Sequence, residues 1–219
     1  MEIPTPDALA AALAARTVEE YGALPGRTNH LRAGVLVPLR WRGDRLDTVV
    51  TLRPAGMTRH GAEVSFAGGR PEPHDLDLQA TALREAYEEL GVVDARVLGR
   101  LSSMPVYTSD FRLEPFVAEI AKDAVLRPDP GEVEAMLDLD LTEILRRGEI
   151  EAVDIFQDAQ HFRMPIFRPG GHIMFGATAI TLMELIAVLA DLSGVPMPSL
   201  TTSSLDFQDI LARKAHAGR

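Results

Sequence analysis

Between Phe66 and Val92 the chain reads FAGGRPEPHDLDLQATALREAYEELGV, and this stretch constrains the fold more than any other. In its second half Leu83, Ala86, Tyr87 and Leu90 recur at the i, i+3, i+4, i+7 spacing, which predicts an amphipathic helix with that stripe turned to a core. Glu85, Glu88 and Glu89 have the same i, i+3, i+4 relation and, at about 100° per residue, fall on roughly the opposite side. Three carboxylates then share one face. Like charges at these separations repel by roughly 0.2–0.5 kcal/mol a pair, and Gly91 marks a helix C-terminus, where the macrodipole disfavours anions. Two readings follow. One is a solvated acidic face partly offset by Arg84. The other is a site for hard divalent cations, which take oxygen ligands from a few carboxylates together with substrate phosphates. Gly68 and Gly69 allow backbone to approach a ligand closely, and a Gly carbonyl could join the coordination shell.

Gly69, Asp75, Arg84, Glu85, Glu88, Glu89 and Gly91 are spaced in a way that resembles the signature of the Nudix hydrolases. Asp75 in place of the commoner Glu, and one extra residue before Arg84, are similar to the coenzyme A diphosphatase branch. Ahead of the box, Thr51-Leu52-Arg53, Arg59, Gly61 and Phe66-Ala67-Gly68-Gly69 resemble a second motif of that branch in part. Pro54, Thr58, Ala67 and the position of Gly61 depart from it. The resemblance covers roughly Arg32 to Leu192 and implies an α/β fold, an α/β/α sandwich around a mixed β-sheet. It also implies Mg²⁺ or Mn²⁺ on Glu85, Glu88 and Glu89, with Gly69 and Glu132 as further ligands. Arg84 would orient the carboxylates, and Glu85 or Glu88 would serve as general base. Arg53, Arg59 and Arg70 are candidates for the substrate phosphates. The implied reaction is hydrolysis of coenzyme A or acyl-CoA to phosphopantetheine and adenosine 3′,5′-bisphosphate. The rivals are a Nudix hydrolase of another nucleoside diphosphate-X (ADP-ribose, NADH or a dinucleoside polyphosphate) and a non-catalytic Nudix-fold ligand sensor. A complete carboxylate set disfavours the sensor.

With 219 residues, 46% of them hydrophobic and 25% charged, one soluble domain with short additions is expected. The expected division is a helical extension over 1–26, the main domain over 27–195, and a linker with a short helix over 196–219. A net charge of −10 argues against nucleic-acid and anionic-membrane partners. The small diphosphate substrate that the resemblance implies would need metal and local arginines. With no Cys, disulfides, thiolate zinc sites and Cys nucleophiles are excluded. The alanine-rich start lacks a basic region before it and is read as a helix over about 5–22, so the expected location is the cytoplasm.

Further along, the apolar β-branched runs Ala33 to Leu39 and Leu46 to Leu52 predict paired strands, and Ala95 to Ser102 and Phe111 to Ile120 predict strands separated by the loop Ser103 to Asp110. Leu141 to Arg147 is read as a short helix and Ala177 to Leu192 as a long buried one. Val153 to Phe156 and Phe162 to Phe167 suggest a hairpin around Asp158-Ala159. Leu205 to Ala212 is amphipathic and is expected to dock on the core or on a partner subunit, the latter giving a homodimer.

Overall fold

The computed structural model describes residues 1–56, 61–157 and 160–210. In chain order the elements are α1 (Pro6–Ala15), β1 (Leu31–Arg42), β2 (Arg45–Leu52), β3 (Val64–Ser65), β4 (Gly68–Gly69), α2 (Leu78–Leu90), β5 (Arg96–Arg100), β6 (Met104–Pro105) and β7 (Phe111–Glu119). They continue with β8 (Ala135–Asp140), α3 (Leu141–Arg147), β9 (Glu149–Gln157), β10 (Gln160–Pro165), α4 (Gly176–Leu192) and β11 (Ser199–Thr202).

The main sheet runs β3-β2-β1-β7-β5, with β4 also on β1, β6 on β7 and β8 on β2. Strands β1 and β7 pair in parallel while the other pairings are antiparallel, so the sheet is mixed. Its centre, β1, is buried from Ala33 to Arg40. A strand covered on both faces needs a nearly continuous apolar run, and Ala33 to Leu39 supplies it. Val35, Val37 and Leu39 pack with Leu9 and Leu13 of α1 and Leu182, Leu185 and Ile186 of α4. Leu36, pointing the other way, joins Ala82, Ala86 and Leu90 of α2. The sheet is therefore the middle layer of an α/β/α sandwich.

Helix α2 lies on β1 at Gly34, where a Cβ would overlap the Leu78 carbonyl and stand 3.0 Å from the Ala82 nitrogen. This close approach sets the rotation of the helix. The small residues Thr81, Ala82 and Ala86 face the sheet, and Glu89 and Leu90 turn inward with them. The stripe expected from hydrophobicity is thus only half correct: Ala86 and Leu90 are fully buried, whereas Tyr87 is 60% exposed. Because the methyl cannot be accommodated by a flexible side chain, Gly34→Ala is expected to lower stability by about 1–3 kcal/mol or more in a denaturant titration.

Both ends of the chain differ from the sequence reading. Helix α1, capped by Thr5 Oγ1 accepting from Ala8 N at 3.2 Å, stops at Ala15 and not near Gly22. Residues after it run extended along Ser102-Ser103, with Ser103 N donating to Glu19 O at 2.8 Å. These backbone bonds replace the last helical turns. Helix α1 buries Leu9 and Leu13 in the core. Within the stretch expected to be a linker, Ser199–Thr202 forms β11, parallel to β9 in a three-stranded sheet ordered β10-β9-β11. A Ser/Thr-rich segment reads as a linker by composition, but threonine fits a pleated surface well. The turn Asp158-Ala159 lies outside the described residues, while the strands on either side of it pair antiparallel as expected. Among the described residues no helix is long and apolar enough to cross a membrane.

Candidate active site

The segment joining β4 to α2 is tied down by one carboxylate. Asp75 accepts from Glu72 N (2.9 Å), Thr81 Oγ1 (2.9 Å), and Arg84 Nε and Nη2 (3.1 and 3.0 Å). The Arg84 guanidinium, with those backbone and hydroxyl donors, holds the Asp75 carboxyl well below the usual carboxylate range. Arg84 spends its remaining donors on the rest of the acidic set: Nη1 donates to Glu85 Oε1 at 3.0 Å and Glu88 Oε2 at 2.8 Å, and Nη2 donates to the Arg70 carbonyl at 2.9 Å. One planar cation thereby joins the loop to the helix.

At the end of α2, Gly91 adopts the left-handed conformation and its N–H bonds Tyr87 O at 2.8 Å. Arg127 N donates to Leu90 O at 2.7 Å and Asp129 N to Glu89 O at 3.0 Å. The irregular run Arg127 to Gly131 therefore satisfies carbonyls that the helix leaves unpaired. It also carries Glu132 to the site.

Glu89 is 1% exposed. Its Oε1 accepts from Gly68 N at 3.3 Å and lies 3.7 Å from Arg53 Nη1, while its Oε2 is buried without a partner among the described residues. Burial pushes its pKa up to about 7 against the pull of Arg53. Burial also raises Glu85, with Arg84 opposing. At Gly69 a Cβ would overlap the Glu85 carboxylate, so glycine there is the condition for Glu85 to lie against the β4 backbone. Arg53 Nη2 is 3.9 Å from Glu132 Oε2, which places this arginine between two carboxylates. Glu88 is the most solvent-accessible of the three helix acids.

The chain matches the model of the NUDIX domain over residues 30–160, more than half its length. This protein is a Nudix hydrolase. It is 34% identical over 187 residues to the mitochondrial coenzyme A diphosphatase NUDT8 of Mus musculus, an alignment covering 82% of this chain and 87% of that one. It is 32% identical over 159 residues to an uncharacterized Nudix hydrolase NudL of Cronobacter sakazakii, covering 72% and 82%. Among solved structures, a MutT/nudix family protein from Enterococcus faecalis overlaps 83% of this chain and 71% of its own at a TM-score of 0.47 and 12% identity.

In this Nudix chain the structure gathers Gly69, Arg84, Glu85, Glu88 and Glu89 at the junction of β4 and α2, with Arg53 and Glu132 beside them. Arg59 lies outside the described residues. Among the described residues no three acidic or histidine side chains converge in one ligating group. The two arginines account for that, since Arg84 draws Glu85 and Glu88 while Arg53 faces Glu89. Arg53, expected to meet substrate phosphate, is thus a carboxylate partner here.

A cleft of about 790 Å³ opens beside β4, lined by Arg53, Gly68, Gly69 and Arg70 and also by Tyr107 and Phe207. Tyr107 carried no sequence signal, whereas Phe207 belongs to the amphipathic segment expected to dock on the core. Asn29, equally silent, donates from Nδ2 to the carbonyls of Val106 (3.0 Å), Ser109 (3.1 Å) and Phe111 (2.9 Å) and so fixes the loop that bears Tyr107. Its one available clue is structural: Asn29 has φ of 43°, in the left-handed region that asparagine tolerates.

Proposed function

We propose that this Nudix hydrolase cleaves the diphosphate of coenzyme A or an acyl-CoA, releasing phosphopantetheine and adenosine 3′,5′-bisphosphate. The observation that carries the reading is the junction of two unlike surfaces, the Gly68-Gly69-Arg70 backbone with its acidic helix and the apolar cleft beside it. Coenzyme A has the matching two-part chemistry, a diphosphate next to a long uncharged arm. The likeness to a relative named as a coenzyme A diphosphatase supports the same choice.

The donor set suits a hard divalent cation, and Mg²⁺ or Mn²⁺ is proposed. The Glu89 Oε2 that is buried without a partner points to such an ion, and Glu85, Glu88 and Glu132 beside it would supply further oxygen donors in place of their arginine contacts. The Gly69 carbonyl is a further ligand in this proposal. Such an ion supplies charge neutralisation of the diphosphate and acidification of water. The chain does the rest. Arg84 sets the positions of Glu85 and Glu88, one of which takes the proton from the attacking water. Gly68 N fixes Glu89, and Arg70 at the cleft mouth faces a substrate phosphate. Water adds to one phosphorus in line as the bridging P–O bond breaks, and the bridging oxygen leaves with the other half.

The test is a panel of coenzyme A, octanoyl-CoA, ADP-ribose, NADH and a dinucleoside polyphosphate, each with Mg²⁺ or Mn²⁺ and with products identified. Coenzyme A or its thioester is expected to be cleaved fastest. Faster turnover of ADP-ribose at equal concentration would overturn the coenzyme A reading while leaving the enzyme class intact.

A further inference from the structure

The cleft is larger than a diphosphate requires and falls within the roughly 300–1,000 Å³ range typical of small-molecule sites. Besides Arg53 and Arg70 it is lined by Met104, Phe175 and Ile180 and by a pair of aromatic rings. Tyr107 and Phe207 meet edge to face, with centroids 6.0 Å apart and planes at 70°. They come from segments 100 residues apart, each anchored independently. The Tyr107 loop is held by Asn29 and by Arg27 Nε, which donates to Tyr107 O at 3.1 Å. Phe207 follows β11, and Ile210 behind it is buried against Val153, Met164 and Ile166. Arg163, which also borders the cleft, is occupied by the Leu200 carbonyl at 2.9 Å and by Asp154.

We infer that Tyr107 and Phe207 are specificity-determining residues, a wall that receives the uncharged acyl end of a thioester substrate. The inference rests on the coenzyme A reading for its kinetic form. Of the two halves of such a substrate, the nucleotide half carries an additional phosphate and cannot be set against aromatic rings and aliphatic side chains without losing its hydration. The pantetheine half carries no charge beyond the diphosphate, and its acyl extension is apolar. With the diphosphate at Gly69 and Arg70, the apolar extension is the part that gains from reaching the rings. The C-terminal segment, through Phe207, thereby becomes part of substrate selection.

The experiment compares coenzyme A with octanoyl-CoA for the parent protein, Phe207→Ala, Tyr107→Ala and Tyr107→Phe. Phe207→Ala and Tyr107→Ala should lower kcat/KM for octanoyl-CoA about tenfold through KM, with kcat retained and coenzyme A changed less than about twofold. Tyr107→Phe keeps the ring and should behave like the parent. Calorimetric binding of S-octanoyl-pantetheine, which has no diphosphate, is measured in parallel and should weaken about tenfold in Phe207→Ala. Equal losses on both substrates, a loss confined to kcat, or octanoyl-pantetheine binding that is absent or unchanged by Phe207→Ala would overturn the wall. If the parent cleaves neither coenzyme A compound, the coenzyme A reading fails, and the binding arm alone decides the wall.

Discussion

In chelator at pH 8, Glu89→Gln is expected to be more stable than the parent protein by about 3 kcal/mol. The sequence places Glu89 on an acidic surface and allows only a few tenths of a kcal/mol for relieving repulsion. The structure makes the term larger by burying the carboxyl, whose pKa rises to about 7 from an ordinary value of 4.5. The sign follows from proton linkage. Between about pH 4.5 and 7 the folded state holds a proton on Glu89 that the unfolded state has released, so stability falls as pH rises through that window. Glutamine resembles the protonated acid, keeps an oxygen for Gly68 N, and does not titrate. Mutant and parent should therefore be nearly equal near pH 4 and diverge toward pH 8. Thermal melting of both across that range in chelator reads the difference directly, and a gap that does not widen with pH would show that Glu89 is not destabilised by ionisation. With Mg²⁺ or Mn²⁺ the parent should regain stability that the mutant does not, as linkage requires for a ligand bound by the folded state.

Gly69→Ala should lower kcat by about a hundredfold or more while changing the melting temperature little. The methyl would occupy the space of the Glu85 carboxylate, which is the end of a flexible side chain and can swing away. That movement preserves the fold but displaces a proposed ligand or base, and errors near 1 Å at a reacting centre are enough for such a loss. Steady-state kinetics and melting on one preparation separate this outcome from Gly34→Ala, where the obstacle is helix backbone and the loss is in stability. If Gly69→Ala keeps full activity, Glu85 does not work from the position it holds against β4.

Much of the architecture could be read from residue pattern. The run Ala33 to Leu39 marks a strand covered on both sides, the boundaries of α3 agree to the residue, and α4 is evident from its apolar length. Periodicity left the rotation of α2 undetermined, because it ranks residues by hydrophobicity and cannot show where one element presses on another. Gly34 decides that rotation, and nothing in its local sequence says which helix will meet it. The acidic residue types of the site were legible, yet their pairings were not: Arg53 to Glu89 spans 36 positions, and Asn29 reaches carbonyls beyond residue 100. The Asn29 contacts arise only once β1 and β7 are neighbours.

That parallel pairing has a kinetic corollary. It aligns Leu31 with Phe111 and Leu39 with Glu119, so the chain must close a loop of about eighty residues before the centre of the sheet exists. Non-local pairings of this kind place folding toward the slower end for single domains, since closure entropy is spent before the contacts repay it. Helix α2 lies inside the closed loop and rests on β1. During refolding, recovery of activity should therefore lag helix formation and coincide with closure of the central sheet.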